Sequence, residues 1–240
     1  MHSVVANLGD VVSWKGETFR LIPSRFPPVA VYDGLVANDR VVDLVEVENL
    51  TNPRLQAEAR ISALAGEDPK TSARLQNWNL APFAYGNPEG SLFFDEVRSC
   101  LEVATDRQTA LAISVAKRQV FLGRTSEPPI GLDMRMFNTP VEGRFVDLRS
   151  VDTAEIVSRA REFGASLPDD VDGILYRPIE RPSATAISIV SGKVLGKTLQ
   201  SAHYRYLWNG EFISLLYAFD EIGTKIEPSF LAGEADCLAA

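Results

Sequence analysis

Histidine and cysteine are scarce in this chain, two of each among 240 residues, and that scarcity removes whole classes of chemistry. His2 stands at the terminus. His203 stands between small and aromatic residues, a setting in which a strand histidine serves packing or hydrogen bonding more often than catalysis. With no HExxH, no clustered Cys and His and no GxSxG, neither a zinc-hydrolase helix nor a nucleophile elbow is encoded, and no metal-ligand set is expected. Cys100 and Cys237 form no CxxC pair, so reduced thiols are expected rather than a disulfide framework. Phosphate-loop glycine patterns are missing too; GKVLGK (192–197) has the wrong spacing and reads as a turn between strands. No apolar run approaches the ~20 residues that cross a bilayer. The first residues carry neither a basic region nor a long apolar one, so no signal peptide, no membrane association and a cytoplasmic location are expected. Basic residues are outnumbered 24 to 32, for a net charge of −8. That balance lacks the positive footprint of a nucleic-acid binder and suits solubility or a basic protein partner.

What the chain does have is the composition of an ordinary globular protein, 45% hydrophobic and 23% charged. Its length fits a single domain, expected over 1–240 with a core at about 17–220 and a tail at 221–240. Residues 19–35 read as a short strand entering a turn stiffened by Pro23, Pro27 and Pro28. The apolar spacing of 39–50 permits a helix, and Asn52 followed by Pro53 starts a second one that Gly66 stops. Residues 67–98 read as a long irregular stretch, the kind that lines a site. An alternating strand follows at 99–104, then a helix capped by Asp106 whose ALAISVA segment is apolar nearly all round. GRTSEPPIG reads as a surface connection. LDMRMF (132–137) and RFVDLRS (144–150) read as two strands. Asp152 and Glu155 open a helix that carries Val157, Ala160 and Phe163 on one face and ends at Gly164. Strands are expected at 173–177, 184–190 and 203–219, the last a hairpin turning at Asn209-Gly210. Strands that cluster after helices, without regular βαβ alternation, indicate an α+β fold.

Several segments, in order along most of the chain, carry a family likeness. They are FRLIPSRFPP (19–28), ENLTNPRL (48–55), APFAYGNPEGSLF (81–93), TALAISVAKRQVFL (109–122), DMRMF (133–137), VDLR (146–149), DGILYRPIERP (172–182) and HYRYLWNGEFI (203–213). Together they resemble the RES domain, the toxin component of RES–Xre toxin–antitoxin systems, whose members consume NAD by glycohydrolase or ADP-ribosyl-transfer chemistry. The resemblance implies an ADP-ribosyltransferase-like mixed or antiparallel β core flanked by helices. It also implies a small helix-rich antitoxin as protein partner, and it is compatible with a homodimer.

The family takes its name from an arginine, a glutamate and a serine that meet at one NAD cleft. Its arginine fork grips phosphate or ribose oxygens. Its carboxylate stabilises the positive charge that develops as the glycosidic bond breaks, and its serine helps hold the substrate in a reactive pose. Carried onto this chain, the arginine falls on Leu92, the glutamate on Ile113 and the serine on Pro178. A family histidine falls on Lys117, and a tyrosine falls near Leu101. None of the first three supplies the group required, so no catalytic residue is expected and no cofactor. The expectation is a pseudoenzyme acting through protein binding. Arg20 and Arg25 at the opening, with Tyr85 in the loop, remain as candidate nucleotide-binding residues. The alternative is an active NAD glycohydrolase or ADP-ribosyltransferase toxin with a relocated site, for which Arg98, Glu102, Ser91, Ser114 and Glu180 would all have to be recruited. Only in that case would NAD be bound and turned over. Spaced along an extended strand, Leu92 and Arg98 would lie roughly 20 Å apart, too far for Arg98 to stand in.

Overall fold

The computed structural model describes residues 9–23, 77–84, 87–219, 224–234 and 237–238. The helices expected at 39–50 and 52–66, Arg25 and Tyr85 lie outside the described residues. The fold is α+β: eight strands in one mixed sheet with three α-helices among the described residues.

The longest strands organise everything else. β1 (Val11–Pro23) runs antiparallel beside β3 (Ile130–Asp147) over its whole length, from Val11↔Val146 to Pro23↔Met134. The two strands read separately at 132–137 and 144–150 are thus one. Between them stands Pro140, which donates nothing to a ladder. It sits where β3 changes its second neighbour, from β6 (Leu199–Trp208) at 130–138 to β4 (Gly173–Tyr176) at 145–147. No ladder bond is needed there, and β1 carries the strand across the gap.

β4 pairs with β5 (Ala186–Ile189), β5 with β2 (Leu101–Ala104), and β2 returns to β1 through Phe19↔Ala104. The path β1-β2-β5-β4-β3-β1 therefore closes into a five-stranded barrel, from which β6, β7 (Ile213–Ala218) and β8 (Lys225–Ile226) extend. Period-two alternation assigns the faces. Leu101, Val103, Val141, Phe145, Leu175, Ile187 and Ile189 fill the interior, with Trp14 edge-on to Phe145 at 6.4 Å. Glu102, Tyr176 and Ser188 alternate with them and face outward.

Helices cover that outer surface. α1 (Asn77–Ala84) precedes the loop at 87–100. α2 (Arg107–Gly123) is capped by Asp106, whose carboxylate accepts from the Thr109 amide at 2.8 Å. Its first half is buried, as expected of ALAISVA, but Lys117, Val120 and Phe121 emerge to solvent. α3 (Thr153–Ala165), capped by Asp152, joins β3 to β4, the sheet's parallel pair, so one βαβ unit is present where none was expected. Its buried face is Ile156, Ala160 and Phe163; Val157, expected among them, is 45% exposed. Gly164 lies so close to the 87–100 loop that a Cβ there would stand 2.0 Å from the Phe93 carbonyl oxygen. The hairpin turns at Asn209-Gly210 as expected, with Gly210 at φ 104.

The core reaches past both expected limits. Val12 and Trp14 pack on the barrel interior, while Ile226 and Leu231 are buried against α2 and β7. The segment after β8 is clasped to α2. The Gln108 side-chain amide donates to the carbonyls of Phe230, Leu231 and Gly233 at 3.1–3.2 Å, and its oxygen accepts from the Cys237 amide. Gln108→Ala would leave the buried Leu231 carbonyl and its part-buried neighbours unmatched, a cost of about 1–3 kcal/mol. Limited proteolysis is then expected to cut within 228–238 sooner than in the parent chain; an unchanged cleavage rate would show that the clasp is dispensable.

Candidate ligand-binding cleft

A cleft of about 980 Å³ is bounded by the second half of α2, the first turn of α3, the 87–100 loop, β2 and the segment after β4. The wall elements owe their places to local chemistry. The loop is pinned by an Asn87 turn, in which the Gly90 amide donates to the Asn87 carbonyl at 2.8 Å, and Gly90 takes φ 70, which favours glycine. A Cβ at Gly90 would also strike the Phe94 carbonyl oxygen at 2.6 Å. Beyond it the chain bends repeatedly rather than extending, so Leu92 and Arg98 line the same cleft. The separation expected for a strand does not apply.

Leu92 and Ile113 come together here. Both are half-buried, both line the cleft, and both pack on the apolar cluster under α3 that contains Phe93, Ile156 and Tyr176. Pro178 does not join them. It is buried in the turn after β4, its carbonyl accepting from the Arg181 amide at 3.1 Å, while its neighbours Arg177 and Ile179 line the cleft.

The residues named as substitutes divide in the same way. Arg20, Arg98, Glu102, Ser91 and Glu180 line the cleft; Ser114 does not, since it is buried on the opposite side of α2 and accepts from the Tyr206 hydroxyl at 3.1 Å. Several are already engaged. Glu102 is ion-paired to Lys117 and accepts weakly from the Leu92 amide at 3.5 Å. Arg98 donates to the Gly164 carbonyl at 3.4 Å, at the C-terminal end of α3, with its guanidinium 5.0 Å from the Phe94 ring. The Ser91 hydroxyl is bound within its own turn, accepting from the Phe94 amide at 3.1 Å. Arg20 stands 5.9 Å from the Phe137 ring, and burial pulls its guanidinium pKa down to about 10.

Two groups on the floor escaped sequence reasoning. The Cys100 thiol, held near Ser188 at 3.4 Å, is pushed up by burial and by the Glu102 charge, so it stays protonated and is no activated nucleophile. Tyr176, edge-on to Phe93 at 4.9 Å, is pushed well above the usual phenol range, chiefly by burial and then by Glu102 and Glu180. Nothing in the sequence marked Tyr176, because β4 is buried on both sides and reads simply as apolar, and Cys100 read only as a reduced thiol with no place in a cleft.

Charge around the cleft departs from that of the whole chain. Its cations are Arg20, Arg98, Lys117, Arg118, Arg124 and Arg177; its carboxylates are Glu89, Asp95, Glu102 and Glu180. The lining is thus two charges positive within a chain of net −8. Arg124 and Glu89 pair at 2.6 Å across the mouth. Among the described residues no group of three or more His, Cys, Asp or Glu is placed to hold a metal ion. No helix among them is long and apolar enough to cross a membrane.

No protein-family model matches the chain. Over 230 residues it is 57% identical to the uncharacterized protein y4oC of Sinorhizobium fredii, an alignment that covers 96% of this chain and 99% of that protein. Such identity across nearly the whole of both chains means that the two share one fold, and this protein belongs to the family of y4oC.

Proposed function

We propose that this protein is a RES-like pseudoenzyme with an ADP-ribosyltransferase-like fold, a cytoplasmic protein that binds an antitoxin-like protein partner and does not cleave NAD. The observation that carries the reading is the meeting of Leu92 and Ile113 at one cleft. These are the positions at which the resemblance calls for the arginine and the glutamate, and they offer hydrocarbon where NAD cleavage needs a guanidinium fork and a carboxylate. A ribose or phosphate oxygen set against them would lose its water without gaining a partner, at about 1–3 kcal/mol for each group. Pro178 adds neither hydroxyl nor amide donor. The residues at these three positions do not fit NAD chemistry.

The test is calorimetric titration of the purified chain with a small helix-rich antitoxin of the RES–Xre type, taken from the same locus. Saturable binding is expected; the absence of heat, together with separate elution of the two proteins on size exclusion, would sink the partner reading.

A second reading has an observation in its favour. Arg20, Arg98 and Glu102 line the same cleft, so a relocated catalytic set would require no large movement of the backbone. Against it stand the commitments of Glu102 to Lys117 and of Arg98 to the end of α3.

A further inference from the structure

Of the eleven large apolar side chains exposed among the described residues, four gather in one place. Val120 and Phe121 at the end of α2, Val157 on α3 and Ile179 after β4 are 56%, 59%, 45% and 62% exposed, and all four line the one cleft. Exposed apolar side chains that gather on a concave surface, rather than standing singly, mark a binding surface. Deeper in, Leu92, Ile113 and Ile156 continue the same surface, so hydrocarbon extends from rim to floor.

Charge then restricts what lies along it. Two of the carboxylates, Glu89 and Glu102, are neutralised by Arg124 and Lys117. A third, Asp95, accepts from the backbone amides of Val97 and Arg98, both at 3.1 Å. The positive excess lies with arginines, among them the exposed Arg177, which lines the cleft with Ile179, and the half-buried Arg118, whose guanidinium stands 5.9 Å from the Phe121 ring. Guanidinium groups next to apolar walls suit an anionic head on a hydrocarbon body. The volume of about 980 Å³ lies at the upper end of the ~300–1,000 Å³ range of small-molecule sites.

We propose that the cleft binds a small amphipathic anion, a hydrocarbon chain ending in a single carboxylate or phosphate, with its body against Leu92, Ile113, Phe121 and Val157 and its head at the arginines. The assignment rests on the reading of the cleft as a binding site rather than a reaction site. It goes beyond that reading by naming the ligand chemistry.

The experiment is calorimetric titration of the full chain with octyl phosphate and octanoate, below their micelle concentrations, beside octyltrimethylammonium, octanol and inorganic phosphate. Octyl phosphate is expected to bind saturably and to tighten about fourfold for each added methylene until the cleft is filled. The octyl cation and inorganic phosphate alone are each expected to bind at least about tenfold more weakly, by the combined loss of charge pairing or apolar burial. Phe121→Ser and Val157→Ser replace exposed side chains and spare the core. Each should weaken octyl phosphate about fivefold or more with the thermal midpoint unchanged. Arg177→Gln should shrink the preference for the anion over octanol. Equal affinity for the octyl cation, indifference to both serine variants, or no binding of any octyl anion would each overturn the proposal. So would binding of an acidic apolar peptide without any octyl anion. NAD turnover measured on the same preparation separates the two readings: turnover defeats the pseudoenzyme assignment, whereas missing octyl binding defeats only this one.

Discussion

Purified protein incubated with NAD is expected to release no nicotinamide above the buffer control and to label no lysate protein with ADP-ribose, while an active RES toxin run alongside does both. A single preorganised electrostatic contact at a reacting centre is worth about 10²–10³ in rate. On the proposed RES likeness, the three positions that would supply such contacts carry Leu92, Ile113 and Pro178. Even with strong non-additivity the residual rate should be too small to measure. Substitution from nearby is opposed by what the neighbours already do. Transferring the Glu102 carboxylate to a developing cation would break its pair with Lys117. Bringing Arg98 onto a phosphate would strip the carbonyls at the end of α3 of a donor. Clear turnover would reverse the conclusion, and Arg20, Arg98 and Glu102 would then be the residues to replace, each in turn, to find where the chemistry moved.

Phe145→Ala is expected to cost about 3–5 kcal/mol, the range for removing a fully buried aromatic side chain. Phe145 is wholly inaccessible and stands at the centre of the closed barrel, against Trp14 and beneath the β4–β5 pair. The barrel wall is continuous hydrogen-bonded backbone, so it has little freedom to collapse into the void. For a chain of this size each kcal/mol moves the melting midpoint by about 2–4 °C, and a fall of about 6–20 °C should follow. A thermal melt decides it. If Phe145→Ala melted within a degree or two of the parent, the barrel interior would not be the stabilising core.

Much of the fold was legible from local signals. Asp106 and Asp152 stand before apolar runs and cap the helices they announce. Asn209-Gly210 turns the hairpin it predicts, since Gly210 alone had to take a positive φ. The α+β class followed from the order of these elements. Errors arose where a residue's effect depends on its neighbour in space. Residues 132–137 and 144–150 read as two strands, yet β1 supports the chain on one side through Pro140 and Gly143 while the partner on the other side changes. Val157 fits a buried stripe as well as Ile156 does, and only the direction from which the sheet meets α3 separates them.

The cleft divides along the same line. The sequence by itself determined what three positions offer: Leu92, Ile113 and Pro178 carry neither charge nor hydroxyl, whatever the fold around them. It also determined the net charge, the lack of a metal-ligand pattern and the helix starts, because these are properties of residues or of near neighbours. Tertiary structure alone decided that Leu92 and Ile113 share one wall while Pro178 is turned into the protein. It decided that Arg98 sits beside them rather than far along a strand, that Glu102 is spent on Lys117, and that four exposed apolar side chains from three segments gather at one mouth. Such relations join residues from six to more than fifty positions apart. They are set by how β1 closes the barrel and where α2 and α3 lie across its outer face, which no local pattern encodes.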